Sequence, residues 1–368
     1  MHSDYEKTNS LPYQGGNKNE NTTINIKEAE TLSTSSSDSF TLKLVRRLLT
    51  VLGMSIFVYF IYRMGWRNIL DNIAQFGAWF IVILLVQMIW VLMQAASWYI
   101  IQNSLFHRSS FLFFVRIKII SDTMNTVLPA ANLGGDAMRA FLIKPRIPMN
   151  EGVPGILLDK TVESIGGVLF MACGILITIL FFPIPRVMVI PAIICLLILL
   201  VAIALLIFFQ LRGFYRSAMN LFGWIPAVKR FLKKKKEMLQ ILDDNIHRLY
   251  TQSGFNIPLS IGLHFSARLV GVLEVLIVLR VLNQPVTFLG AWFICAAVTI
   301  ANTILFVVPG HWGVQEGMYV LVMKSMYFSG PVGLSLAVIR RIRRIFLLGF
   351  GLILLHFEKS LKGVPSGT

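Results

Sequence analysis

MVIPAIICLLILLVAIALLIFFQ, residues 188–210, runs for twenty-three residues without a charge. About twenty such residues, wound as an α-helix, cross a 30 Å hydrocarbon layer. Runs of similar length and character recur at 44–62, 78–102, 152–182, 256–282 and 331–357. The chain therefore reads as an all-α polytopic membrane protein with about six full spans. Composition agrees: 55% of the residues are apolar and 14% charged, with a mean hydropathy of +0.69. Soluble chains carry about 25% charge, so this one could not cover its own surface with polar groups.

Two further apolar regions, 111–143 and 287–329, are broken in the middle by proline and glycine. The breaks read Leu128-Pro129-Ala130-Ala131-Asn132-Leu133-Gly134-Gly135-Asp136 and Val308-Pro309-Gly310-His311-Trp312-Gly313-Val314-Gln315-Glu316-Gly317. Irregular backbone at membrane depth survives only where protein or a water-filled cavity satisfies its polar groups. Both regions are expected to be re-entrant broken helical hairpins that lie side by side inside the protein.

The formal net charge of +16 does not point to nucleic acid, because the bases gather in short loops and beside the ends of apolar runs. Residues 211–255 hold Arg212, Arg216, Lys229, Arg230 and Lys233 to Lys236, which makes this loop cytoplasmic. Lys43, Arg46 and Arg47 place the N-terminus inside, and Lys359 and Lys362 do the same for the C-terminus. The uncharged connections at Asn283–Pro285 and Ser329–Pro331 fall outside; Arg63, Arg67 and Arg186 run against the trend. Residues 1–43 are a polar, Ser/Thr/Asn-rich disordered tail, 44–357 the transmembrane domain, and 358–368 a second cytoplasmic tail. The first apolar run reads as a retained signal anchor. Leu239, Leu242, Ile246 and Leu249 follow helical spacing in 231–250, which suits a helix on an anionic lipid surface or a solvated positive-inside determinant.

This topology contains an inverted repeat, 44–182 and 187–357. Each half has two spans, a broken hairpin and a final span. Asn125-Thr126-Val127-Leu128 matches Asn302-Thr303-Ile304-Leu305, and an acid follows each proline at the same distance, Asp136 after Pro129 and Glu316 after Pro309. Repeats of this kind are an architecture of secondary transporters.

Charge inside the bilayer marks the candidate site, since an ionisable group there costs about 2.5–3.5 kcal/mol on insertion scales. Arg340, Arg341, Arg343 and Arg344 begin about ten residues into the last span, roughly 15 Å from its outer end. They share one helical face, and guanidinium suits bidentate contact with phosphate or carboxylate. Such a face either lines a cavity for an anionic headgroup or pairs internally with Asp136, Asp159, Glu163, Glu274 or Glu316. Asp159 and Glu163 stand four residues apart on one helix and are expected to pair with Arg139, Lys160 or the arginine cluster. Helix N-termini near Gly134–Asp136 and Gly313–Glu316 could hold an anion or be capped by Asp136 and Glu316. Cys173, Cys195 and Cys295 form no pattern for a disulfide or zinc, and His264 and His311 stand apart from any ligand cluster. Neither a metal nor a cofactor is expected. No Walker, GxSxG or HExxH motif is present, and no catalytic residue is assigned.

The stretch from Asn125 to Arg139 resembles the LPGRLGE-x-x-R segment of the lysylphosphatidylglycerol synthase transmembrane-region family, flippase-like membrane proteins. Leu158-Asp159-Lys160 through Glu163 resembles that family's ER/DR-x-x-D helix. Val308 to Gly317 resembles its P-G-G-L-G-x-R-E-G signature, and Arg340 or Arg341 its following helical arginine. Asp136, Lys160, Gln315 and His311-Trp312 depart from the usual Glu, Arg, Arg and Gly-Leu. The Gln-Glu-Gly form is similar to a hopanoid-associated branch. The resemblance spans about 44–357 and implies the membrane part of such proteins, without the soluble aminoacyltransferase domain, which is expected to be absent. It implies a lipid flippase or transporter of the cell (inner) membrane. Membrane lipids with anionic headgroups would be its partners. The substrate path would be built from Asn125, Pro129, Gly134, Asp136, Arg139, Asp159, Lys160, Glu163, Pro309, Gly310, Gly313, Gln315, Glu316, Arg340, Arg341 and Arg344. A membrane-embedded lipid-modifying transferase and a scaffold of an envelope assembly complex are the competing readings.

Overall fold

The computed structural model describes residues 76–104, 109–127, 133–181, 186–222, 224–304 and 314–358, with the single positions 55, 67 and 74. The expected first span, both hairpin tips and the tails at 1–43 and 359–368 lie outside the described residues. Twelve helices follow one another among those residues: α1 Ala78–Asn103, α2 Phe111–Val127, α3 Leu133–Ile143, α4 Met149–Phe181, α5 Arg186–Arg212, α6 Phe214–Phe222, α7 Pro226–Lys234, α8 Lys236–Gln252, α9 Asn256–Val281, α10 Phe288–Ile304, α11 Val314–Ser325 and α12 Gly330–Phe357. The chain is an all-α polytopic membrane protein. By length and composition α1, α4, α9 and the segment Val189–Arg212 can each cross a bilayer. At 28 residues α12 is as long, but carries the four arginines. Pro331 sits in its first turn, where the missing N–H breaks no ladder bond.

Packing relates the two halves. α1 runs along α9 over an extensive interface, α2 folds back on α3 and α10 on α11, and each hairpin meets the final helix of its own half, α3 on α4 and α11 on α12. The first arms cross over: α2 packs on α12 and α10 on α4. Exchanging α1–α4 for α9–α12 maps each of these interfaces onto another, whereas the interface of α4 with α9 has no counterpart of similar extent between α1 and α12. One apolar core joins α9, α10, α11 and α12 to Phe76, Phe80 and Ile83, and a second joins α2, α3 and α12 to Trp98 and Ile156. α5 stays largely outside both, with Ile190, Ile194, Leu197, Ile198, Val201 and Leu205 exposed as lipid-facing residues.

Two expectations change. The amphipathic segment 231–250 is not one helix: it breaks at Lys235, between α7 and α8. Its apolar stripe serves the protein, because Ile246 and Leu249 are buried and Asn245 Nδ2 donates to the Asn150 carbonyl at 2.6 Å. The lysines of α7 remain exposed beyond it. The hairpins also do not pack extensively on each other among the described residues; α2 and α10 instead contribute walls to one cavity. Polar side chains on both arms, Asp122, Thr123 and Thr126 of α2 and Thr299 and Asn302 of α10, need water or a ligand between them, which direct packing would exclude.

Candidate functional site

The cavity measures about 340 Å³ and lies among α1, α2, α4, α9, α10, α11 and α12. That volume falls at the small end of ligand pockets. Four arginines line it, Arg268 from α9 and Arg340, Arg343 and Arg344 from α12, against two acids, Asp122 and Glu274. Spacing on α12 explains the cluster, since positions three and four apart share a helix face. Arg341 falls off that face and is absent from the cavity wall.

Glu274 organises the α12 side. Its carboxylate, almost wholly buried, receives Arg340 Nε at 3.4 Å and is hydrogen-bonded by Arg343 Nη1. Arg340 also donates to the Tyr319 hydroxyl on α11, and its guanidinium lies 5.8 Å from the centre of that ring. Breaking such a buried pair on one side costs about 3–5 kcal/mol, so the acid holds two arginines in fixed orientation. On α2 the second acid, Asp122, is held by Lys118 at 2.9 Å, one turn away. Arg268 forms no ion pair with a described residue in this wall. Its guanidinium rests on Gly167 of α4, where an added Cβ would stand 2.7 Å from Nη2.

Five of the residues expected in the substrate path gather elsewhere, in an ionic network between α3, α4 and α9. Asp159, fully buried, receives Arg139 Nη1 at 2.8 Å, the Ser97 hydroxyl at 3.1 Å and His264 Nε2 at 3.1 Å. Lys160 bridges Glu163 at 3.2 Å and Asp136 at 3.5 Å, and Asp136 stands 3.7 Å from Arg139. Arg139 also stacks over Trp98 at 5.0 Å. Asp159 and Glu163 thus find the partners expected of them, Arg139 and Lys160. Asp136 stays in the first turn of α3, but its carboxylate turns toward these cations.

Asn125 and Gly134 belong to the first hairpin itself. Asn125 bonds across its arms, and Gly134 is buried in the opening turn of α3. Pro129, Pro309, Gly310 and Gly313 lie outside the described residues, as do the side chains of Gln315 and Glu316 in α11. Sequence reasoning left Arg268, Asp122, Lys118 and Tyr319 unassigned, named Glu274 as one of five acids that could pair with the arginines, and set His264 apart from any ligand cluster. The available signal was a charge or imidazole within an apolar run, which at membrane depth marks function by default.

The model of one family, the lysylphosphatidylglycerol synthase TM region, matches residues 46–351. The chain belongs to that family. No curated protein and no solved structure matches it significantly. As a member of the lysylphosphatidylglycerol synthase transmembrane-region family, it is a multi-pass membrane protein related to lipid metabolism. The match extends over both broken hairpins and the arginine-bearing face of α12.

Proposed function

We propose that this protein moves lipids with anionic headgroups across the membrane in which it sits, with the cavity between α2, α9, α10 and α12 as the headgroup site. The observation that carries this reading is the cation excess of the wall: Arg268, Arg340, Arg343 and Arg344 against Asp122 and Glu274. Positive charge at membrane depth is costly, and an anionic ligand offsets that cost. Guanidinium groups also match phosphate in charge and geometry. The crossed packing of the two halves supplies the mechanical side, since rocking of one repeat against the other would open such a site to either face.

Reconstituted liposomes test the reading. Translocation of fluorescent phosphatidylglycerol, followed by quenching of the outer leaflet, is expected to exceed that of fluorescent phosphatidylcholine. Arg344→Gln is expected to slow it by about tenfold, the loss of roughly 1.4 kcal/mol of interaction. Arg341→Gln, off the cavity wall, is expected to keep most of the rate. Equal rates for the two lipids, or equal effects of the two substitutions, would count against the headgroup site.

A further inference from the structure

The buried acids of the α3–α4–α9 network are not used by the cavity, yet they hold a histidine with one open position. Asp159 Oδ1 accepts from His264 Nε2 at 3.1 Å while the other carboxylate oxygen is engaged by Arg139. As an ionised acceptor, Asp159 requires a proton on Nε2. The free lone pair of the imidazole is therefore at Nδ1, which is buried and has no hydrogen-bond partner among the described residues. Imidazole is the side chain whose charge most readily changes near neutral pH.

Arg268 connects this histidine to the cavity. It follows His264 by four residues on α9, so the two side chains share a face with Cβ atoms about 5–6 Å apart. Both lie against one stripe of α4: an added Cβ would stand 3.0 Å from His264 Cβ at Gly166 and 2.7 Å from Arg268 Nη2 at Gly167. Glu163, one turn earlier on that helix, is within electrostatic reach of both His264 and Arg268.

We propose that His264, held by Asp159, is a proton-binding site coupled to the anion cavity through Arg268. The coupling rests on the reading of the cavity given above. Asp159 bonds His264 and Glu163 is within its electrostatic reach, both on α4. Arg139 on α3 shares Asp159, Lys160 and Asp136 join that network, and Arg268 follows on its own helix. Across the cavity stand Glu274 of α9 and Arg340, Arg343 and Arg344 of α12. Arg139, Lys160 and Arg268 balance Asp136, Asp159 and Glu163, so with neutral His264 this network carries no net charge of its own and faces the cations of the cavity. An extra proton is then repelled by the arginines of the empty cavity. An anion seated beside Arg268 cancels that repulsion, and binding the anion draws a proton to His264 Nδ1. Linkage makes the effect reciprocal: protonation strengthens anion binding, and anion affinity rises as the pH falls. A proton gradient would then bias the direction of lipid movement.

The test uses the full chain in detergent at low buffer capacity, with dioctanoyl phosphatidylglycerol as probe. The expected result is proton uptake of up to one per probe bound, read by an indicator dye. His264→Gln, which still donates to Asp159 but takes no proton, should bind the probe with no uptake; His264→Asn serves if the first variant does not fold. Uptake that is the same in wild type and variant, or absent from wild type while the probe binds, overturns the proposal. Melting without probe separates this idea from the headgroup reading. Because the cavity arginines repel the extra proton, the unfolded chain takes it up more readily than the fold. The wild type should therefore lose melting temperature relative to the variant between about pH 8 and pH 5, and bound probe should reduce that loss. A wild type that loses nothing without probe, or as much with the probe bound, overturns the proton site, whereas failure of the probe to bind speaks against the headgroup cavity.

Discussion

Asn125 and Gly135 close the first hairpin: the Gly135 amide donates to Asn125 Oδ1 at 2.7 Å across the break between α2 and α3. The bond satisfies one of the amides that the start of a helix leaves open. There is no room beside it. A Cβ on Gly135 would lie 2.5 Å from Asn125 Nδ2 and from the backbone oxygen of Ser121.

Gly135→Ala is therefore expected to destabilise the protein by about 1–3 kcal/mol through overpacking. Asn125→Ala is expected to cost about 1–3 kcal/mol by leaving the amide without its partner. Thermal melting in detergent measures both. An alanine at 135 that melts with wild type would show that the hairpin arms are not this close.

The long apolar runs were legible because a membrane span is a signal twenty residues wide. Expected and observed limits differ by no more than three residues for α1, α4, α5, α9 and α12. The hairpin breaks were legible from Pro129 and Pro309. The partner of the arginines was not, because Glu274 is one acid in an apolar run and lies 69 residues from Arg343. Helical spacing shows that arginines share a face but not which acid meets it. The stripe Leu239–Leu249 was ambiguous for a related reason, since an apolar face looks the same whether lipid or α4 covers it.

Glycines on the spans separate into two kinds, and the sign of a substitution should follow. At Gly333 of α12 an added Cβ would come 2.8 Å from the backbone oxygen of Tyr319, and backbone cannot rotate away. Gly262 of α9 has open space. Gly333→Ala is expected to lower stability by about 1–3 kcal/mol, and Gly262→Ala to raise it by up to about 1 kcal/mol through helix propensity. Melting of the two variants side by side decides it; a stabilised Gly333→Ala would contradict the α11–α12 contact.

Sidedness can be read by labelling single cysteines with an impermeant maleimide in intact cells. The exposed Lys235 junction gathers at the end of the bundle where α1 finishes and α9 starts, marked by the 3.0 Å contact of the Ser104 and Ser253 hydroxyls. Gln284 belongs to the turn after α9, at the other end. A cysteine at 235 is expected to react only after permeabilisation, and cysteines at 284 and 330 in intact cells. Labelling of all three from one side would remove the inverted topology.

Glu274 offers the sharpest separation of structure from transport. It holds Arg340 and Arg343 in a wall that otherwise carries excess positive charge. Glu274→Gln removes the negative charge at nearly constant shape and strands two buried guanidinium groups, for an expected loss of about 3–5 kcal/mol. Arg343→Met alone leaves Arg340 to neutralise the acid at 3.4 Å and is expected to cost less. Combining Glu274→Gln with Arg343→Met removes one charge of each sign and should recover part of the stability lost in Glu274→Gln, because an apolar side chain of similar length fills the site without desolvation cost. Translocation need not follow stability. The double variant keeps Arg268, Arg340 and Arg344 in the wall and is expected to retain affinity for an anionic probe. Melting temperatures of the four proteins, from the wild type to the double variant, give the coupling between the two residues. A coupling near zero would mean that the carboxylate and Arg343 do not meet in the folded protein.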